Sequence, residues 1–233
     1  MSRSAKQSHA DRILRQPFAN RAVHWVAALS IFALFFSGFG QMPMYARYGL
    51  ASLPGLAWSS DYAITLVIHY IAGAVLTFIV VFHVALSLLT RRFAIMPRRG
   101  DFKESVQIIA AMLGRGEEPP SHKYLAEQRL AYAFIGGTTV ALVLTGIVKV
   151  VKNVEGVNLD GAWLFWTAMA HNVAAMLLLL GVIGHFAAFI IKENRALLPA
   201  MFDGTVDRNY AKHRHSLWYA EIDPGDAQAH PQD

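Results

Sequence analysis

The stretch His171-Asn-Val-Ala-Ala-Met-Leu-Leu-Leu-Leu-Gly-Val-Ile-Gly-His185 decides how the rest of the chain reads. It is an apolar run with an ionisable side chain at each end, the second histidine standing fourteen positions after the first. At about 100° per residue, that spacing returns the second imidazole to within about 40° of the first, on one helix face. At a 1.5 Å rise the two lie about 21 Å apart along the axis, a large part of a bilayer's hydrocarbon core. A histidine buried in an apolar membrane helix is costly, so each of these needs a partner. No single ion can serve both over about 21 Å, which excludes a shared zinc.

Composition agrees with a membrane setting. The 233 residues are 55% hydrophobic and 16% charged, with a mean hydropathy of +0.34, and the length suits one bundle of a few helices. There is no cysteine. That excludes iron–sulfur clusters held by this chain, disulfides and covalent haem attachment, so any haem must be gripped by side chains such as histidine. The net charge of +5 does not point to nucleic acid, because Lys and Arg gather at the ends of apolar runs.

Four runs reach the length of a span: 22–42, 62–89, 130–148 and 163–191. The expected fold is all-α, an integral membrane four-helix bundle. Its parts are an N-terminal segment 1–21, a transmembrane domain 22–191 and a C-terminal tail 192–233. The basic start (Arg3, Lys6, Arg12, Arg15, Arg21) precedes a run without a small-x-small cleavage site, which reads as an uncleaved first helix. In the polar connection 90–128, Asp101 and Glu104 have capping-box spacing and Gly114 is placed to close the helix between them. Val106, Ile109, Ala110 and Leu113 would form its apolar face, resting on the membrane surface. Of the 21 Lys and Arg, all but Arg47, Lys149 and Lys152 fall in the N-terminal segment, the second connection through Arg129, and the tail. The positive-inside rule therefore places both termini of a multi-pass membrane protein in the cytoplasm. Trp58 and Trp163 then mark outer ends of spans and Trp25 an inner end.

With that topology His69 and His171 lie near the outer surface, and His24 and His185 near the inner one. Each pair sets two imidazoles at one depth on different helices, as two six-coordinate haems require, and such haems carry electrons rather than bind oxygen. The plainer alternative is a set of hydrogen-bonded polar residues or a proton path, which four histidines at matched depths make the weaker reading. His83 stands fourteen residues after His69, so His83 with His185 is an alternative inner pair that spacing leaves open. His9, His122 and His230 fall in polar segments and read as solvated, and His213 and His215 read as surface residues of a basic tail.

Several short patterns accompany the histidines: Arg21-Ala-Val-His24-Trp25, Ser37-Gly38, His69 with Gly73, Thr145-Gly146 and the His171/His185 pair. With them the chain resembles, over about residues 12–222, the cytochrome b (gamma) subunits of membrane-bound formate dehydrogenases, relatives of the b-type cytochromes of nickel–iron hydrogenases. Gly204-Thr-Val206, Ala211-Lys212 and Trp218-Tyr219-Ala-Glu221-Ile222 resemble the formate dehydrogenase branch in particular. The resemblance implies two haem b groups on His24, His69, His171 and His185, favouring His24 over His83. It implies an iron–sulfur beta subunit, a molybdenum or tungsten alpha subunit that oxidises formate, and a trimer of such heterotrimers. This chain would be the non-catalytic anchor, passing electrons to menaquinone or ubiquinone at the cytoplasmic side. The family's quinone site corresponds here to Lys123-Tyr124-Leu125-Ala126-Glu127-Gln128, which makes Tyr124, Glu127 and Gln128 the candidate quinone residues. Leu125 replaces an asparagine and Glu127 a glycine of the family pattern; Glu127 is a candidate proton carrier, with an exposed loop carboxylate as the bland alternative. Rival readings are an anchor for a hydrogenase or a sulfur-oxyanion reductase and, from another class, a haem-free membrane transporter or proton channel.

Overall fold

The computed structural model describes residues 11–112 and 114–224. His9, His230, Arg3, Lys6 and Leu113 lie outside the described residues.

Four long apolar helices are present: α1 (Phe18–Gly40), α3 (Tyr62–Thr90), α5 (Ala126–Val151) and α6 (Gly161–Ala187), the last continued by a 3-10 turn Ala188–Ile190. Each is long and apolar enough to cross a membrane. A short helix α2 (Pro43–Arg47) lies between the first two, and α4 (Asp101–Met112) precedes α5. After the last span come α7 (Lys192–Arg195), α8 (Leu198–Phe202), α9 (Arg208–Arg214) and α10 (Ser216–Ile222), with strand β1 (Arg12–Leu14) pairing antiparallel with β2 (Thr205–Asp207).

Helix starts follow from the residues that satisfy their first N–H groups. Asp61 Oδ1 accepts from Ile64 N at 3.0 Å to open α3. Asp160 Oδ1 accepts from Ala162 N at 2.9 Å and Trp163 N at 3.3 Å to open α6. The spans begin earlier than the apolar runs wherever a polar group can cap them. Pro17 O accepts from Asn20 N and Arg21 N, so α1 starts at Phe18. Gln128 Oε1 accepts from Leu125 N at 3.3 Å, so α5 starts at Ala126. Helix α3 stops where Arg91 takes a left-handed conformation, φ 51°.

Backbone packing divides the chain into two compact units, residues 22–90 with 138–178, and residues 1–21 with 91–137 and 179–233. In the first, Gly40 admits no Cβ, which would run into the Ser59 carbonyl. Ser59 is buried and bonds Tyr45 Oη at 2.8 Å, fastening the connection 41–61 under the end of α1.

In the second unit, Ala200, Val206, Ala211, Trp218 and Tyr219 form a core joined by Ile13 and Leu197. Gly204, at φ 91°, passes so close to the Gln16 carbonyl that a Cβ would sit 2.6 Å from it. The segment 192–224 is thus folded structure rather than a solvated tail, because it has an apolar core of its own to bury. His215 corrects the surface reading: it is fully buried and its Nδ1–H donates to His122 O at 2.8 Å. His213 is exposed, and His122 pairs with Glu221 Oε1 at 3.1 Å.

The helix between Asp101 and Gly114 is present, but its capping box is not. Glu104 N bonds Gly100 O, and the Asp101 carboxylate instead binds Arg129 through two hydrogen bonds, at 2.9 and 2.6 Å. Asp101 and Arg129 are both buried, so the carboxylate is better used on a guanidinium that would otherwise be an unpaired buried charge. Gly114, at φ 77°, closes the helix as expected, its N–H on Ala111 O and that of Arg115 on Ala110 O. Ile108 packs with Leu125 and Ala126, while Val106 and Ile109 stay exposed.

Candidate functional site

In the unit 22–90 with 138–178, the structure brings His69 of α3 and His171 of α6 together, with ring centroids 6.4 Å apart and ring planes tilted by 58°. Each ring is held from behind by a hydroxyl on a third or fourth helix. Ser37 Oγ on α1 lies 2.9 Å from His69 Nδ1, and Thr145 Oγ1 on α5 lies 2.8 Å from His171 Nδ1.

The proton positions follow by elimination. The Ser37 hydroxyl donates to Ala33 O at 2.7 Å and the Thr145 hydroxyl to Ala141 O at 2.7 Å, the usual back-bond of a helical Ser or Thr. With its one proton committed, each oxygen can only accept from the imidazole. Both rings therefore carry their proton on Nδ1 and keep the Nε2 lone pair. A ligating histidine that donates its other N–H to a fixed acceptor is the standard support of a metal-bound imidazole.

The chain's residues fit a bis-histidine haem on this geometry. Two nitrogens each about 2 Å from one iron would set the ring centroids about 6 Å apart. Among the described residues no three His, Cys, Asp or Glu side chains gather as a cage for an ion. Gly38 and Gly146 follow the two hydroxyl residues, and a Cβ on either would touch the imidazole, at 3.5 Å from His69 Cε1 and 3.7 Å from His171 Cε1. Lys149, one turn beyond Thr145, lies within charge–charge reach of both imidazoles.

Ser37 and Thr145 are the side chains of this cluster that reading by histidines passed over. Their signal was in the chain as a hydroxyl–glycine dipeptide, Ser37-Gly38 and Thr145-Gly146, repeated in two apolar helices.

The other histidines are placed as follows. His24 is on α1 with its ring edge-on to Trp25, centroids 5.3 Å apart, and His83 is on α3. His185, on α6, has Phe186 and Phe189 as edge neighbours, both at 5.8 Å. His24 and His83 belong to the unit 22–90 with 138–178, and His185 to the other.

Tyr124, Glu127 and Gln128 lie at the start of α5. The Gln16 amide donates to Tyr124 Oη at 3.0 Å, and the Arg15 guanidinium lies over the Tyr124 ring at 5.5 Å. Gln128 is engaged by the Leu125 N–H it caps. Leu125, at the family's asparagine position, is fully buried against Ile108 and packs rather than presents itself to a ligand. Glu127 Oε2 is buried with no hydrogen-bond partner, unlike an exposed loop carboxylate. Lys123 lies above Trp218 and Tyr124, and burial, with Arg15 and Arg92 nearby, pulls its ammonium down to about 8.

The family model for prokaryotic cytochrome b561 matches residues 15–204. Among known proteins, the chain is 24% identical over 229 residues to the cytochrome b556(Fdn) subunit of the nitrate-inducible formate dehydrogenase of Escherichia coli, covering 95% of this chain and 96% of that subunit. The subunit of the same description from Shigella flexneri matches with the same 24% identity and the same coverage.

Proposed function

Because the chain belongs to the prokaryotic cytochrome b561 family, we propose that it is the membrane anchor and electron-transfer subunit of a respiratory formate dehydrogenase of the inner membrane. In this reading it takes electrons from an iron–sulfur partner and delivers them to a quinone at the cytoplasmic side. The observation that carries it is the His69/His171 pair, with both Nδ1 protons fixed by Ser37 and Thr145. The formate dehydrogenase partner, with its molybdenum or tungsten alpha subunit, rests on similarity along nearly the whole chain to a subunit of such an enzyme.

His69 and His171 hold the outer haem b as neutral imidazoles. When bound, that group supplies a one-electron carrier without an open position for oxygen. The second haem is proposed from the sequence and the resemblance, on His24 and His185, with His83 as the alternative to His24. At the quinone end Tyr124 and Gln128 orient the ring, and Glu127 holds a proton for the reduced oxygen.

The test is a pyridine haemochrome assay on the detergent-purified chain, expressed with ample haem. Two b-type haems per chain are expected, falling to one in His69→Ala, in His171→Ala and in His24→Ala, with His83→Ala unchanged. A folded chain without haem would overturn the reading and promote a haem-free transporter or channel. Glu127→Gln is expected to slow quinone reduction at least tenfold in the assembled complex with both haems retained; an unchanged rate removes Glu127 from the proton path.

A further inference from the structure

Between the spans α3 and α5 the chain carries Arg91, Arg92, Arg98, Arg99 and Lys103, with Asp101 the one carboxylate among residues 91–103. That carboxylate is already spent on Arg129, as is Glu104, whose Oε2 lies 3.2 Å from Arg129 Nη2. Arg98, Arg99 and Lys103 are exposed and, with His122, border a cleft of about 470 Å³ beside the first turn of α4. The positive end of the α4 dipole opens on the same cleft.

Helix α4 has one buried side and one exposed apolar stripe. Asp101, Ser105 and Ile108 are buried on one side. Phe102, Val106 and Ile109 recur at i, i+4 and i+7 on another, and are 77%, 53% and 49% exposed. Phe93 and Met96, in the segment leading into the helix, are exposed as well. The depth of this surface is set by its own unit. The Asp101–Arg129 pair and the Ile108–Leu125–Ala126 contact tie α4 to the first turn of a spanning helix, where hydrocarbon gives way to headgroups.

We propose that this surface is a binding site for a phospholipid with an anionic headgroup. Its phosphate sits in the cleft of Arg98, Arg99 and Lys103, and its acyl chains run along Phe102, Val106 and Ile109. A cationic cleft and an exposed apolar stripe carried by the same short helix, fixed at the boundary depth, match the two halves of such a molecule. A free inorganic anion would use only the first half, and an uncharged apolar partner only the second.

The experiment uses the full-length chain in two arms. In the first, the purified chain is titrated with phosphatidylglycerol, phosphatidylcholine or inorganic phosphate, and bound lipid is counted by native mass spectrometry. One phosphatidylglycerol should be retained per chain in preference to phosphatidylcholine, and retained at least tenfold less by the triple variant Arg98→Gln, Arg99→Gln, Lys103→Gln. Equal retention by the variant, or displacement of the lipid by millimolar phosphate, would overturn the proposal. In the second, Phe102→Trp is reconstituted in phosphatidylglycerol vesicles containing acyl-brominated lipid. Quenching of the added indole supports the site. Emission at the wavelength of a water-exposed indole, unquenched by bromine, refutes it.

Discussion

A hydroxyl has one proton to give, and Ser37 and Thr145 each give theirs to the carbonyl one turn back. What they offer the imidazoles is a lone pair, which draws density toward Nδ1–H and makes each ring a stronger donor through Nε2. If His69 and His171 hold a haem as proposed, Ser37→Ala or Thr145→Ala should leave ligation possible, raise that haem's midpoint potential and weaken its retention by about 10- to 100-fold. Lys149 works in the opposite direction, because its positive charge favours the reduced centre. Lys149→Gln should lower the same potential by tens of millivolts, on the order of a kcal/mol of Coulomb energy. A redox titration of single variants checks both, and shifts of one sign in all three would contradict the assignment. Spacing made the histidines candidates, since a periodicity of 3.6 fixes which residues share a face, but which of them meet across helices is set by the fold, which brings His69 beside His171. Their hydroxyl partners were visible only as a repeated dipeptide, because what Ser37 accepts depends on a residue 32 positions away.

The elements hold because polar groups are closed off where the apolar runs end. The spans were readable to within a few residues, and the misses share a cause: Pro17 and Gln128 cap helices inside polar sequence, extending α1 and α5 beyond their apolar cores. Helix α4 was legible as a helix but not in its attachment, because the Glu104 N–H goes to Gly100 O and the Asp101 carboxylate reaches a distant guanidinium. The Arg129 guanidinium holds the Asp101 carboxyl below its ordinary range, so the pair is ionised at neutral pH. Asp101→Asn leaves a buried cation half unpaired and should cost about 3–5 kcal/mol locally. Limited proteolysis should then cut residues 91–115 faster while the outer haem spectrum is unchanged. In the C-terminal helices, His215 was misjudged because its burial is built by Arg15, His122, Tyr210 and Trp218, scattered along the sequence. Burial, with Arg15 and Arg214 close by, pushes its imidazole down to about 3. The unfolded chain takes up a proton below about 6.5 that the folded one refuses, so stability falls with acidification at about 1.4 kcal/mol per pH unit at most. His215→Gln should flatten that slope between pH 6.5 and 4.5, as read by thermal unfolding of this unit.

At the scale of the whole molecule, four helices long and apolar enough to cross a membrane lie in sequence between strand β1 and strand β2, which pair antiparallel. The class of the protein was plain from composition, because a chain this apolar with no cysteine has few ways to be stable and useful at once. The strand pairing was not, because three-residue strands carry no periodicity to read. In the proposed role, electron transfer through the membrane moves charge, worth about 2.3 kcal/mol per electron per 100 mV, and it needs every span in place. The pairing of Arg12 with Asp207 bears on this through time rather than energy. Residues 12–14 emerge from the ribosome early, and at about 5–20 residues per second they wait on the order of ten seconds or more for residues 205–207. During that wait Leu14 and Ile13 have no strand to lie beside. The clasp can close only on a chain translated through its last span, so the same contact that folds the two ends together also certifies that synthesis between them was finished.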